Sequence, residues 1–444
     1  MIRPSRPLLV LLALPLLALG SSPAAARAQS PLAAEADRRV EQVMPQVVAW
    51  RRHIHQHPEL GNREFKTAAM VAEHLRSLGM EVQTGIAHTG VVGVLRGGRP
   101  GPVVALRADM DALPVTEMVD LPFRSREVTE YNGQQVGVMH ACGHDNHVAI
   151  LMGTASVLAG MRDQIAGTIK FIFQPAEEGP PAGESGGASL MVEQGVLQNP
   201  APEAIFGLHV WPAPVGTIGF RPAGTMASAD GLNIVVRGRQ THGAVPWGGV
   251  DPIVVSAQII TALQTIPSRQ IDVTKAPAVV TIGMINGGIR NNIIPDSVSM
   301  VGTIRTFDPD MRKDVHERIR RTVTNIGEAA GATAEARIGI GVGVTYNDPP
   351  LTERMAPTLQ RVAGEGKAFT IPMITGAEDF SVFQERIPGV FFFLGIVPEG
   401  QDPATAPANH SPYFFADEGA LPVGVRAMTH MALDYLAAPR TPVP

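Results

Sequence analysis

Cysteine is nearly absent: the 444-residue chain carries one, Cys142. A disulfide framework is thereby excluded, and a lone thiol in a chain bound for an oxidising compartment needs another reason to be there. Basic clusters are also missing. Lys and Arg number 36 against 41 Asp and Glu, a net charge of −5, and no block of bases lies along the mature chain. That lacks the electrostatic footprint of nucleic-acid binding and leaves small molecules or peptides as the expected partners. The apolar run from Leu8 to Leu19 falls short of the roughly 20 residues that span a bilayer, so no stable membrane anchor is expected. Internal repeats are lacking too.

What is present is ordinary globular composition, 45% hydrophobic and 17% charged, which excludes wholesale disorder. A chain of 444 residues exceeds one core, so two domains are expected. Arg3 and Arg6 precede the Leu8–Leu19 run, and Ala26-Arg27-Ala28 follows. A positive start, an apolar core and an A-x-A site make residues 1–28 a signal peptide, cut after Ala28, for export to the periplasm or medium.

Periodicity places helices over 35–55, 63–78 and 147–158, with strands over 91–95, 103–106 and 168–173. Strands alternating with helices predict an α/β layered domain with a largely parallel sheet. From about Gly219 the texture changes, with strands over 233–237, 278–285 and 298–305 and helices over 251–265 and 311–330. This reads as a compact α+β unit with antiparallel strands, inserted into the first domain. The chain then returns, carrying Gly376-Ala377-Glu378-Asp379-Phe380 and Asn409-His410-Ser411.

The strongest chemical signal is Met139-His140-Ala141-Cys142-Gly143-His144-Asp145-Asn146-His147, just before a helix. Thiolate and imidazole are favoured ligands of zinc and similar metals, and Cys142 and His144 can reach one cation from a tight loop. Glu177-Glu178 follows a buried strand, where open α/β sheets place their sites. One of two adjacent carboxylates can bind metal while the other moves protons. His209 lies inside an apolar run and His410 in a C-terminal loop; each alone is ambiguous. With Cys142, His144 and Glu178 they make a donor set sufficient for two cations sharing a ligand. His53 and His57 also share a helical face as a possible zinc pair, although imidazoles packing a helix end is the blander reading. His74, His88, His316 and His430 stand alone.

With these motifs assembled, the chain resembles the aminoacylase/carboxypeptidase family of co-catalytic metallopeptidases, in its hippurate hydrolase and indoleacetyl-amino-acid hydrolase branch. The resemblance runs from Arg52-His53-Ile54-His55-Gln56-His57-Pro58-Glu59-Leu60 to Asn409-His410-Ser411. It includes Leu106-Arg107-Ala108-Asp109-Met110-Asp111, Thr241-His242-Gly243-Ala244, Asn292-Ile293-Ile294-Pro295-Asp296 and the Glu378 motif. It implies a two-domain, mixed-sheet α/β/α metallopeptidase fold with an inserted α+β lid and dimerisation domain. The parts would be 29–218, the insert 219–333, and 334–444. By that resemblance Cys142 bridges two divalent ions (zinc or manganese, with cobalt or nickel possible), and His144, Glu178, His209 and His410 complete the coordination. Glu177 is implied as general acid/base and Asp111 as a support for a metal ligand. His242 would reach the reacting carbonyl across a homodimer, and Asn292 and Arg305 would meet the substrate carboxylate. The expected reaction is hydrolysis of the amide bond in N-acyl amino acids or small peptides with a free carboxylate. A non-catalytic binding protein, a scaffold, and an aminopeptidase or esterase are the rival readings; filled ligand positions oppose the first two, and the Asn292 motif the third.

Overall fold

The computed structural model describes residues 30–437; the expected signal at 1–28 lies outside the described residues. The first half begins with α1 (Ala33–Gln56), α2 (Phe65–Ser77), β1 (Glu81–Ile86), β2 (Gly90–Arg96) and β3 (Arg99–Asp109). The hairpin β4 (Val128–Tyr131) and β5 (Gln134–Gly137), then α3 (His144–Ala159), β6 (Ala166–Gln174) and α4 (Gly187–Glu193) follow. Next come β7 (Ala204–Pro214), β8 (Ile218–Phe220) and β9 (Ala223–Met226). The chain continues through β10 (Ala229–Arg237), β11 (Thr241–His242), α5 (Pro252–Leu263), β12 (Ala278–Gly287) and β13 (Ile293–Ile294). β14 (Ser297–Thr306), α6 (Pro309–Ala329) and β15 (Thr333–Val342) end this stretch. The last part is β16 (Thr345–Asn347), α7 (Pro349–Ala363), β17 (Ala368–Thr370), α8 (Ser381–Gln384), β18 (Gly389–Val397) and α9 (Leu421–Ala437).

An eight-stranded sheet in the order β1-β2-β6-β3-β7-β18-β8-β17 carries the first and last parts of the chain. Its centre, β6-β3-β7-β18, is parallel, while β1, β2 and β8 join antiparallel. The sheet is therefore mixed, with the expected parallel register in the middle and again at the β8–β17 edge. β18 is buried along its whole length, and its side chains alternate between faces as strand geometry requires. Val390, Phe392, Leu394 and Ile396 pack with α1, α3, α7 and α9; Phe391 and Phe393 face Phe380 and Phe383 beside α4. Helices on both faces make three α/β/α layers.

A separate four-stranded antiparallel sheet, β12-β14-β10-β15, spans residues 229–342 and has its own core. β8 belongs to the large sheet and β15 to the small one. α6 shows why this unit forms. Asp308 caps it by accepting the Met311 N–H at 2.8 Å, and Met311, Val315, Ile319 and Val323 make one buried stripe. Its polar anchor is buried Asp230, which meets Arg312 at 2.6 Å and His316 at 2.9 Å. Burial opposes the Asp230 charge, but those two partners and the Gly341 N–H hold its pKa well below the ordinary carboxylate range. A depressed carboxyl stabilises above its unfolded pKa, about 3.9, and that contribution fades as pH falls below it. Asp230→Asn is therefore expected to lower the melting temperature at pH 7 by an amount that holds down to about pH 4, shrinks below it, and vanishes only as the pH passes the depressed native pKa. A gap constant from pH 7 to 3 in thermal melts would exclude this ion pair as its cause.

Helix α3 starts at His144 rather than at His147, because Gly143 turns the chain with φ of +88°. A Cβ there would lie 2.3 Å from Val210 Cγ2, so only glycine fits between Cys142 and His144. Among the described residues no helix is long and apolar enough to cross a membrane.

Candidate metal centre

The C-terminal ends of the parallel strands bring together what the sequence spreads out. β3 ends at Asp109, with Asp111 two residues on; β6 ends at Gln174 and leads into Glu177 and Glu178; β7 carries His209. The start of α3 supplies Cys142 and His144, and a late loop supplies His410. That loop is pinned by one backbone and one side-chain bond: His410 N–H donates to Ala141 O at 2.8 Å and Asn409 Nδ2–H to Cys142 O at 3.2 Å.

The five donors fall into two groups of three, Cys142–His144–His209 and Cys142–Glu178–His410, in each of which the ligand atoms lie within 4.8 Å of one another. Cys142 belongs to both. Its Sγ lies 3.3 Å from His209 Nε2, and Glu178 Oε1 lies 2.9 Å from His410 Nε2. Carbonyl oxygen only accepts, so the 2.7 Å contact of His209 Nδ1 with Val210 O puts the proton on Nδ1. Nε2 is left bare toward the thiol, the tautomer a metal ligand needs. Nε2 of buried His144, on the side facing the thiol, lacks a hydrogen-bond partner of good geometry among the described residues. Buried polar atoms are almost always paired, so this cluster has the chemistry of a cation site. Burial pushes the Cys142 thiol up.

Asp111 stands behind these donors. Its Oδ1 is 3.3 Å from His144 Nδ1, leaving Nε2 to face the cluster, and its Oδ2 accepts the Glu178 N–H at 2.9 Å. Glu177 Oε2 is 3.9 Å from His144 Nε2, while its Oε1 faces the Asp379 N–H at 3.4 Å. Burial, then the charges of Glu378, Glu178 and Asp379, drive the Glu177 pKa well above the ordinary range.

Other groups here carried no assigned role in the sequence. Arg107, fully buried, holds Asp109 at 2.6 Å and both Glu378 and Asp379 at 3.0 Å. Burial opposes its charge, but Glu378, Asp109 and Asp379 outweigh that and raise its pKa. His147 Nδ1–H donates to Asp109 at 2.5 Å and its Nε2 accepts the Val210 N–H at 2.9 Å, so both nitrogens are committed. Its spacing from His144, one helical turn, was the available signal. Glu64 accepts the Ala176 N–H at 2.9 Å, and burial followed by Asp111 lifts it to about 7. Ala176 has a φ of +51°, so Glu64 and Asp111 clamp the strained turn that aims Glu177 and Glu178. Glu64→Ala is expected to lower kcat at least tenfold by loosening that turn; unchanged kcat with bound metal retained would show that the turn holds itself.

The remaining expected residues lie in the smaller unit. His242 and Asn292 are adjacent and exposed: β11 pairs with β13, and Gly243 N–H donates to Asn292 O at 2.8 Å. Neither joins the donor groups. Arg305 is half-buried in β14, and its side chain makes no hydrogen bond or ion pair among the described residues. His57 meets Glu127 at 3.3 Å, and neither it nor His53 joins any group of three donors among the described residues. His55 is instead buried, between Asp145 at 2.9 Å and Glu117 at 3.1 Å.

Scaffold and donor set together are those of a metal-dependent hydrolase. The model of peptidase family M20/M25/M40 matches residues 105–434, and the chain belongs to that family. Thermostable carboxypeptidase 2 of Saccharolobus solfataricus is 41% identical over 399 residues, 89% of this chain and 97% of that one. An N-acyl-L-amino acid amidohydrolase of Geobacillus stearothermophilus is 42% identical over 314 residues, 70% of this chain and 81% of the other. Among solved structures, a dinuclear metal binding peptidase of Bacillus subtilis matches with a TM-score of 0.75 at 35% identity, covering 90% of this chain and 99% of that chain.

Proposed function

We propose that the chain hydrolyses the amide bond of N-acyl amino acids or small peptides bearing a free carboxylate, using two divalent cations. The observation that carries this is the pair of donor triads sharing Cys142, with the buried carboxyl of Glu177 beside them. Similarity to proteins named carboxypeptidase and N-acyl-L-amino acid amidohydrolase supports the same chemistry.

Cys142 would be the shared ligand, with His144 and His209 on one side and Glu178 and His410 on the other. Thiolate and imidazole suit zinc, and manganese, cobalt or nickel remain compatible with this set. The bound cations would supply Lewis acidity, bringing the pKa of water from about 15.7 toward 7 and polarising the amide carbonyl. Glu177 takes the proton from the attacking water and returns it to the leaving nitrogen. Asp111 orients His144 through Nδ1 and fixes the Glu178 backbone. On the smaller unit, His242 and Asn292 would meet the carbonyl and the carboxylate, with Arg305 as a further carboxylate contact. His242 and Asn292 lie apart from the donor groups, which supports a homodimer in which they serve the other copy's centre. Residues 1–28 would direct export.

The test is release of free amino acid from a panel of N-acyl amino acids and dipeptides by metal-loaded enzyme. Chelation is expected to abolish it and added divalent metal to restore it, while the methyl ester of a good substrate is turned over poorly. Turnover that survives chelation, or equal turnover of acid and ester, would overturn the reading. For the dimer, mixing and re-forming two inactive variants, Glu177→Gln and His242→Ala, should restore roughly a quarter of wild-type activity through hybrid dimers. No recovery would place His242 outside the partner's site.

A further inference from the structure

The large unit has a cavity of about 490 Å³ that begins at the donor cluster. Asp111, Glu178, Gly179 and Pro181 stand in its wall, and the rest comes from the segment joining α1 to α2 with the first residues of α2, the chain after Asp111, and the β4–β5 hairpin with its flanks. No lining residue belongs to the smaller unit. Its apolar surface includes Leu60, Phe65, Leu113 and Val128, and Phe65 and Val128 are 61% and 62% exposed. Apolar side chains left open in a concavity beside reacting groups mark a place for a ligand.

Charge decides which half of a substrate enters. Glu59, Asp111, Glu127, Glu130 and Glu178 line the groove against two bases, Arg63 and Lys66. Arg63 is already neutralised by Glu184 at 2.5 Å. A free carboxylate therefore meets no surplus of positive charge here and is disfavoured. A cationic guest gains little either, since Glu59 is engaged by the Lys66 and Thr67 N–H groups at 2.9 and 3.0 Å and Glu127 meets His57 at 3.3 Å. The neutral acyl half fits, and its carboxylate-bearing half points elsewhere.

We propose that this groove is the acyl subsite, and that it selects neutral aromatic or long aliphatic acyl groups over acetyl. The proposal rests on the amide-hydrolase reading above. An acetyl group would leave nearly all of the 490 Å³ to water, whereas each further buried methylene improves binding about fourfold.

The experiment uses the metal-loaded chain and the N-acetyl, N-benzoyl, N-decanoyl and N-succinyl derivatives of one amino acid. Benzoyl and decanoyl substrates should exceed acetyl in kcat/KM by at least about tenfold, with anionic succinyl the poorest. Val128→Asp, and separately Phe65→Ser, should lower the decanoyl-to-acetyl ratio about tenfold; both sites are on the surface, and thermal melts confirm folding. Unchanged ratios, or a change that appears only when the amino acid is varied under a fixed acyl group, would overturn the groove assignment alone. Hydrolysis of none of the four by wild type would overturn the amide-hydrolase reading and the groove with it.

Discussion

Glu177→Gln is expected to lower kcat for amide hydrolysis by about 10²–10⁴-fold while leaving KM and metal content near wild type. Glutamine keeps the shape and hydrogen-bonding capacity of the side chain but cannot take a proton. The site makes Glu177 suited to that task. Burial first, and then the neighbouring charges of Glu378, Glu178 and Asp379, oppose a further negative charge and raise its proton affinity. Glu178, one residue away, differs: His410 at 2.9 Å and nearby His144 favour its charged form, and its pKa falls despite burial. Environments that push two adjacent carboxylates in opposite directions separate the proton carrier from the ligand. Steady-state kinetics with metal analysis checks this, and a Glu177→Gln enzyme within tenfold of wild type would remove Glu177 from the proton transfers.

The largest effect on stability is expected at Arg107. Changing it to Met leaves Asp109, Glu378 and Asp379 buried around a neutral side chain. Removing one partner of a buried charge network typically costs about 3–5 kcal/mol, a fall in melting temperature on the order of 10 °C for a domain of this size. Part of that cost is deferred by protonation, since burial already lifts Glu378 to about 7 and Asp379 to about 6. The variant should therefore lose less stability at pH 5 than at pH 8. Equal losses at both values, or a melting temperature within 2 °C of wild type, would mean that Arg107 does not neutralise this cluster.

The difference between these two residues shows what sequence can and cannot reveal. Glu177 and Glu178 stand out because an apolar strand runs straight into them, and local order is enough to place both at a strand end. Arg107 reads as one charge in an apolar strand, and its partners at Glu378 and Asp379 lie 271 and 272 positions away. The same holds for Glu64, whose backbone partner Ala176 is 112 positions distant. β18 and α9 also escaped periodicity. β18 is buried on both faces and so shows no alternation, and α9 is buried on nearly every side.

The sequence by itself determined the donor types, the glycine that lets Cys142 and His144 share a loop, and the longer helices and several of the strands up to α6, because these depend on neighbours within a few residues. Only the tertiary structure decided which imidazole nitrogen is bare, that His147 is spent on Asp109 rather than left free, and that His242 and Asn292 lie side by side. Tautomer, protonation and convergence are set by groups that meet through space, and the spacing of residues along a chain carries no record of those distances.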